Sequence, residues 1–248
     1  IPEVITYNQI YNAATGVCLG ETEPIATAHF GHPIYVFGTS QYGYVNFQTV
    51  ADIDGDGLPE IVAGGKVYKV NIDVGLQKAT CSKLYSIASV TDGFTAVADI
   101  DMDGTLDVVV IDSPTSSSGT VRVTVWNPVT GTVIGQISQP AFGNRFSFPF
   151  IGDIDGFTAS DGKLHPEICV MTSSGSESGK LYAFKYVPES ASNKLQLKWT
   201  LDNSDQSGST GITLFDFNND GIQELVYRDE THLQILNGIA DGITPVLA

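Results

Sequence analysis

Apolar and polar positions alternate along this chain in short runs. RFSFPF, from Arg145, puts Phe146, Phe148 and Phe150 at every second place, as in a strand with one buried face. Other runs are β-branched and nearly continuous: EIVAGG from Glu60, LDVVVID from Leu106, PEICVMT from Pro166 and ELVYRD from Glu224. These are strand signals. After each comes further strand-like sequence: KVYKVNI, then VRVTVWNP with TVIGQIS, then KLYAFKY with KLQLKWT, and finally HLQILNG. Thr130-Gly131 marks a hairpin turn from a third strand to a fourth. The pattern predicts an all-β fold of four-stranded antiparallel units.

The units align on an acidic cluster. FQTVADIDGDGLPEIVAGG, FTAVADIDMDGTLDVVVID, FPFIGDIDG and ITLFDFNNDGIQELVYRD begin at Phe47, Phe94, Phe148 and Ile212, and their anchors Asp52, Asp99, Asp153 and Asp216 lie 47, 54 and 63 residues apart. That period suits a propeller blade. The units fall near 45–90, 92–140, 146–202 and 210–248. Residues 1–21 contain ITYNQIYNAATGVCLGE, with Thr15-Gly16 matching Thr130-Gly131, and read as the outer strands of a further blade. One β-propeller domain is expected, either a closed ring whose N-terminal strands complete the last blade or a partial ring.

In the first cluster Asp52, Asp54 and Asp56 alternate, Gly57 follows, and Glu60 closes the group at the ninth place. Alternate carboxylates of a curled loop point at one hard cation, glycine supplies the turn, and the seventh residue, Leu58, offers its carbonyl. The second cluster repeats this with Asp99, Asp101, Asp103, Thr105 and Asp107, and the fourth with Asp216, Asn218, Asp220, Ile222 and Glu224. An EF-hand places its last acid at the twelfth position between helices, which does not fit. The third cluster keeps Asp153 and Asp155, inserts residues, and reaches Asp161 and Glu167 late. Those four either share an ion in a longer loop or form a surface feature without one.

Composition sharpens this picture. Net charge is −16 with only 12 Lys and Arg, which argues against nucleic acid and anionic membrane as partners. Fifteen of the 28 acidic residues lie in the four clusters, where cations are needed to offset repulsion. Calcium is the expected ion. No apolar run is long enough to insert in a membrane, and Ile1 to Asn8 lack the charged start and apolar core of a secretion signal.

The clusters and their flanking strands, from Val45 to Gly238, resemble the FG-GAP and VCBS repeat family, including the calcium-binding blades of integrin α-subunit propellers. The resemblance implies ions in loops between the first two strands of a blade and a secreted or cell-surface setting. The expected function is adhesion or ligand binding, with a glycan or an extracellular protein as partner. Two alternatives are a calcium-dependent polysaccharide lyase, with Lys163 or Arg145 as base, and a scaffold within a larger surface protein.

Other features carry less. Cys18, Cys81 and Cys169 read as small hydrophobes rather than a Cys18–Cys81 bridge. His29 and His32 lack an acidic partner, His165 lies within reach of a third-loop ligand, and His232 falls in an outer strand. Phe142, Phe146, Phe148 and Phe150, with Tyr42, Tyr44 and Phe47, are expected to pack in the core rather than stack on sugars. Ser113 to Gly119 and Thr172 to Gly179 read as exposed hairpin loops.

Overall fold

The computed structural model describes residues 3–6, 9–22, 33–35, 42–44, 48–90, 93–112, 120–140, 145–173, 179–205, 211–237 and 244–245. They are all-β, in antiparallel sheets that follow one another along the chain. The first sheet holds β1 (Glu3–Thr6), β2 (Gln9–Asn12) and β3 (Cys18–Glu21), and a separate pair is formed by β4 (Pro33–Tyr35) and β5 (Tyr42–Tyr44). Next come β6 (Thr49–Ala51), β7 (Glu60–Ala63), β8 (Lys66–Asp73) and β9 (Lys78–Ser86), then β10 (Phe94–Ala98), β11 (Asp107–Asp112), β12 (Thr120–Asn127) and β13 (Thr132–Pro140). In the following sheet β14 (Arg145–Phe146) and β15 (Phe150–Gly152) both pair with β16 (Glu167–Ser173), which pairs with β17 (Gly179–Tyr186) and then β18 (Leu195–Asn203). The last sheet is β19 (Ile212–Phe215), β20 (Glu224–Arg228), β21 (Leu233–Asn237) and β22 (Thr244–Pro245).

The continuous apolar runs are strands covered on both faces. On β7, Ile61 and Ala63 pack towards Ile10 and Leu19 of the first sheet, while Val62 faces Val108, Val110 and Trp126 of the next. On β11, Val109 and Ile111 turn the other way, to Ile168, Val170, Tyr182 and Phe184. Cys169 and Met171 of β16 then meet Leu225 and Tyr227 of β20. The core is thus four apolar layers between five sheets stacked in chain order. β6, β10, β15 and β19 lie side by side in that order, and the fourth strands β13 and β18 also touch. Gly135 permits this last contact, because a Cβ there would lie 2.6 Å from Leu195. Asn193 adds backbone-like bonds to Gln136, donating to its carbonyl at 2.7 Å and accepting from its N–H at 3.0 Å.

The expected hairpin between third and fourth strands is present at both matched places. Gly131 and Gly16 have φ of 68° and 70°. Their amides donate to the carbonyls of Asn127 and Asn12, and those Asn side chains accept the turn amides of Thr130, and of Ala14 and Thr15. β1 to β3 therefore match the second, third and fourth strands of a unit, with Glu3 at the register place of Glu60 and Asp107. They form a sheet of their own. The last sheet has its own β21 and β22 and does not take its outer strands from the N-terminal segment.

Each pairing of a third with a fourth strand, in the first sheet and the next three, bulges at one register, leaving Leu19, Leu84, Ile134 and Lys198 as the extra residue.

Three expectations change. RFSFPF is not one strand: Pro149 has no N–H, and the chain breaks at Ser147, whose N–H donates to the Met171 carbonyl while its Oγ accepts from Met171 N–H. Phe148 is consequently exposed, its ring tilted against Phe94 with centroids 4.4 Å apart, although Phe150 does pack in the core. Thr172 is fully buried within β16 and Gly179 begins β17, so neither belongs to a hairpin loop. The side chains of Tyr42, Tyr44 and Phe146, together with Phe47, Phe142, His29, His32 and residues 113–119, lie outside the described residues. Of the cysteines, all free, Cys169 is buried, Cys81 is intermediate and Cys18 is exposed, so the small-hydrophobe reading fails for Cys18.

Candidate metal centres

Each acidic cluster is the loop between the first and second strands of a sheet. Its ninth acid opens the second strand: Glu60 on β7, Asp107 on β11 and Glu224 on β20. These acids are buried because the strands are covered on both faces. Each ties the loop closed by accepting from the N–H of the second residue: Glu60 from Ile53 at 2.9 Å, Asp107 from Ile100 at 3.0 Å, Glu224 from Phe217 at 2.8 Å. Ile53 and Ile100 are themselves buried, which anchors the loops to the core.

Most of the remaining loop bonds repeat, although the fifth amide also reaches the first acid only in the second and fourth loops, from Asp103 to Asp99 and from Asp220 to Asp216. The first acid accepts from the sixth-place glycine at 2.9 Å in all three: Gly57 to Asp52, Gly104 to Asp99, Gly221 to Asp216. These glycines have φ of 85°, 94° and 90°. The third residue accepts from the fifth amide, and the fifth from the seventh, so Leu58, Thr105 and Ile222 are fixed by Asp56, Asp103 and Asp220. At the fourth place the chain is left-handed again, through Gly55, Met102 and Asn219. A tight coil of this kind gathers the alternate side chains on one side.

Oxygens of Asp52, Asp54 and Glu60 come within 4.8 Å of one another, as do those of Asp99, Asp101 and Asp107, and of Asp153, Asp155 and Glu167. The fourth loop has one carboxylate fewer, and Asn218 spends its amide donating to Glu224 at 3.0 Å. The donor sets are all hard oxygen, as a calcium ion requires. In the first loop Asp52 Oδ1 and Glu60 Oε1 are buried without a partner, a costly state that a cation there would relieve. Burial lifts the Glu60 carboxyl above its ordinary value, and burial next to Asp101 pushes Asp107 to about 7. Asp101 is raised too, by burial and then by Asp103. Carboxyls raised by desolvation and mutual repulsion are what a divalent cation would return to the ionised form. In the first and second loops, then, the residues present fit the ion.

The third loop follows the pattern only as far as its fourth place. Ile154 donates to Glu167 at 3.2 Å, Gly156 is left-handed, and then Phe157 stands where the others have an acid. Asp161 does not join the cluster. Its carboxylate is taken by His165 Nε2 at 2.9 Å, while Nδ1 of that buried ring meets the Ile100 carbonyl at 3.0 Å. His165 thus fixes the loop rather than facing the cluster. Burial pushes Asp161 up, but the Lys163 amide and His165 outweigh it and hold the carboxyl low. Lys163 Nζ donates to the Met102 carbonyl at 2.7 Å, and Arg145 lies on β14 opposite Ser173.

Two lysines and one asparagine were not anticipated from the sequence. Lys69 Nζ bonds Asp54 at 3.1 Å and also Asp56, from the loop's outer side. Its equivalent Asn127 reaches Thr105 at 2.8 Å and Asp107 at 3.3 Å. Lys198 bonds Asp155 and lies 3.6 Å from Glu167. The available signal was position, since Lys69 and Asn127 sit one place after Tyr68 and Trp126 in matched third strands.

No protein-family model and no curated protein matches the chain. Among solved structures it is similar to the biofilm matrix protein Bap1 of V. cholerae, with a TM-score of 0.51 and 12% identity over 98% of this chain. The chain spans 59% of that structure's length. At this identity the likeness concerns the fold alone. Among the described residues no helix is long and apolar enough to cross a membrane.

Proposed function

We propose that the chain is a calcium-binding β-propeller domain or part of one, of the FG-GAP and VCBS type, acting outside the cell as an adhesion or ligand-binding module for a glycan or a protein. The observation that carries this reading is the loop geometry shared by the first, second and fourth clusters, each joining the first two strands of one sheet in a stack laid out in chain order. Side-by-side first strands along one edge are what a radial arrangement of blades requires. Calcium fits the oxygen donors and offsets the charge of each loop, and extracellular calcium is plentiful enough to fill weak sites. The likeness to Bap1, a biofilm matrix protein, supports an extracellular setting. Calcium's role here is structural: it holds the loops that join strands, while other loops meet the partner.

A glycan array probed with the purified chain in calcium and again in chelator tests the binding role. Calcium-dependent binding to a restricted set of sugars is expected. Silence across the array from folded, calcium-loaded protein rejects the glycan as partner and leaves the protein ligand.

A further inference from the structure

We propose that Lys198 is the resident cation of the third repeat, so that its loop is held by an ammonium group where the other repeats use a divalent ion. The inference rests on the calcium reading of the other loops and departs from it at this one.

The first support is register. The bulge between third and fourth strands leaves one extra residue in each of four sheets, and three of the four are apolar: Leu19, Leu84 and Ile134. Only β18 places a cation there. Its ammonium ends between Asp155 and Glu167, the third and ninth acids. Their side chains are 7% and 4% exposed and that of Lys198 is 13% exposed, so the pair is largely out of water.

The second support is the donor set. Where the other loops have an acid or a side-chain amide at the first, third, fifth and ninth places, this one has Phe157 at the fifth, and the late Asp161 is turned to His165. Three carboxylates remain, and an ammonium group has a donor for each neighbour it touches. The first loop supplies the contrast. Lys69 also touches acids there, but at the third and fifth places, leaving Asp52 Oδ1 and Glu60 Oε1 buried and unpartnered inside. No such orphan oxygen is found in the third cluster among the described residues. Lys69 therefore touches the third and fifth acids and leaves the first and ninth with unpartnered oxygens, whereas Lys198 reaches between the third and ninth acids themselves.

A cleft of about 600 Å³ opens over Lys198, lined also by Phe157, His165, Tyr186 and Glu189. With a tethered cation beneath it, this cleft keeps its shape when calcium is withdrawn.

The test is anomalous diffraction from crystals of the wild-type chain in calcium, then in terbium, set beside crystals of Lys198→Met. Wild type is expected to show peaks at the first, second and fourth loops and none at the third, and Lys198→Met to gain a peak between Asp155 and Glu167. A third-loop peak in wild type overturns the proposal while leaving the calcium reading intact. Absence of peaks at every loop overturns both. If Lys198→Met does not fold, the wild-type map still decides.

Discussion

The second and third loops start from the same Asp-Ile-Asp opening and each end on a buried acid, Asp107 and Glu167, yet they meet the charge of that acid differently. In the second, oxygens of Asp99, Asp101 and Asp107 converge while Asp103 is exposed, and burial beside Asp101 drives the Asp107 carboxyl to about 7. In the third, burial beside Asp155 pushes Glu167 to about 7 as well, even with the opposing charge of Lys198 at hand. The lesson is that burial raises the closing carboxyl in both of these repeats, and in the reading proposed above one meets that cost with a free ion and the other with a side chain. The predictions below probe that difference.

Chelation should have the largest effect. Each ion held at a hundredfold excess over its dissociation constant contributes about 2.7 kcal/mol, and a chain of this size shifts by about 2–4 °C per kcal/mol. Removing calcium from three loops should thus lower Tm by on the order of 20 °C, read by calorimetry with and without chelator. A fall of only a few degrees would mean that the loops are not structural ion sites.

Substitution separates the two loops next. Asp107→Ala removes an ion ligand and the acceptor of the buried Ile100 N–H, and should cost about 3 kcal/mol in calcium. Asp161→Ala in the third loop leaves His165 Nε2 without its partner, Nδ1 keeping the Ile100 carbonyl, and should cost about 1 kcal/mol, with an unchanged response to calcium. Equal calcium responses in the two variants would erase the distinction.

How much of this was legible beforehand follows from what each feature depends on. Strand type, unit count and loop spacing rest on local pattern, and the sheets, the Gly131 hairpin and the ninth-place acids lie where the spacing put them. The break at Ser147 was also local, since Pro149 cannot complete a strand, but the alternating phenylalanines masked it. Lys198 was illegible for another reason. It is about thirty residues beyond Glu167 in sequence, and only the bulge in β18 aims it at the cluster, a property of pairing register that single-sequence periodicity does not encode. Asp161 was drawn to the cluster by residue type alone, when its true partner was the buried His165.

Acid should act on the chelated protein with a sign that chelation alone does not reveal. The folded Asp107 and Glu167 carboxyls titrate near 7, above their unfolded values of 3.8 and 4.5, so between those limits the folded state binds more protons than the unfolded. The contribution of these two carboxyls to stability in chelator is therefore fully present below the unfolded values and declines as pH rises towards about 7. Saturating calcium competes with those protons at Asp107 and should flatten or reverse the slope. Melting curves at about pH 5 and about pH 7.5, with and without calcium, read both slopes; a chelated protein more stable at the higher pH contradicts the buried-acid account.

The smallest effect belongs to the fourth place of the loop. The first and third loops carry Gly55 and Gly156 there, the fourth carries Asn219 at φ 61°, and the second carries Met102 at φ 56°. A left-handed residue with a Cβ and no short polar side chain costs about 1–2 kcal/mol, whereas glycine avoids that strain but loses about 0.5–1 kcal/mol of chain entropy on folding. Met102→Gly should therefore raise stability by about 0.5 kcal/mol, or one to two degrees in Tm. The Met102 contact to Lys163 runs through the backbone carbonyl and survives the change. Asn219→Gly should gain less, because asparagine already tolerates this conformation. A loss of stability in Met102→Gly would mean that the half-exposed methionine side chain contributes packing that outweighs its backbone strain, and would mark the second loop as built differently from the first in more than its ion ligands.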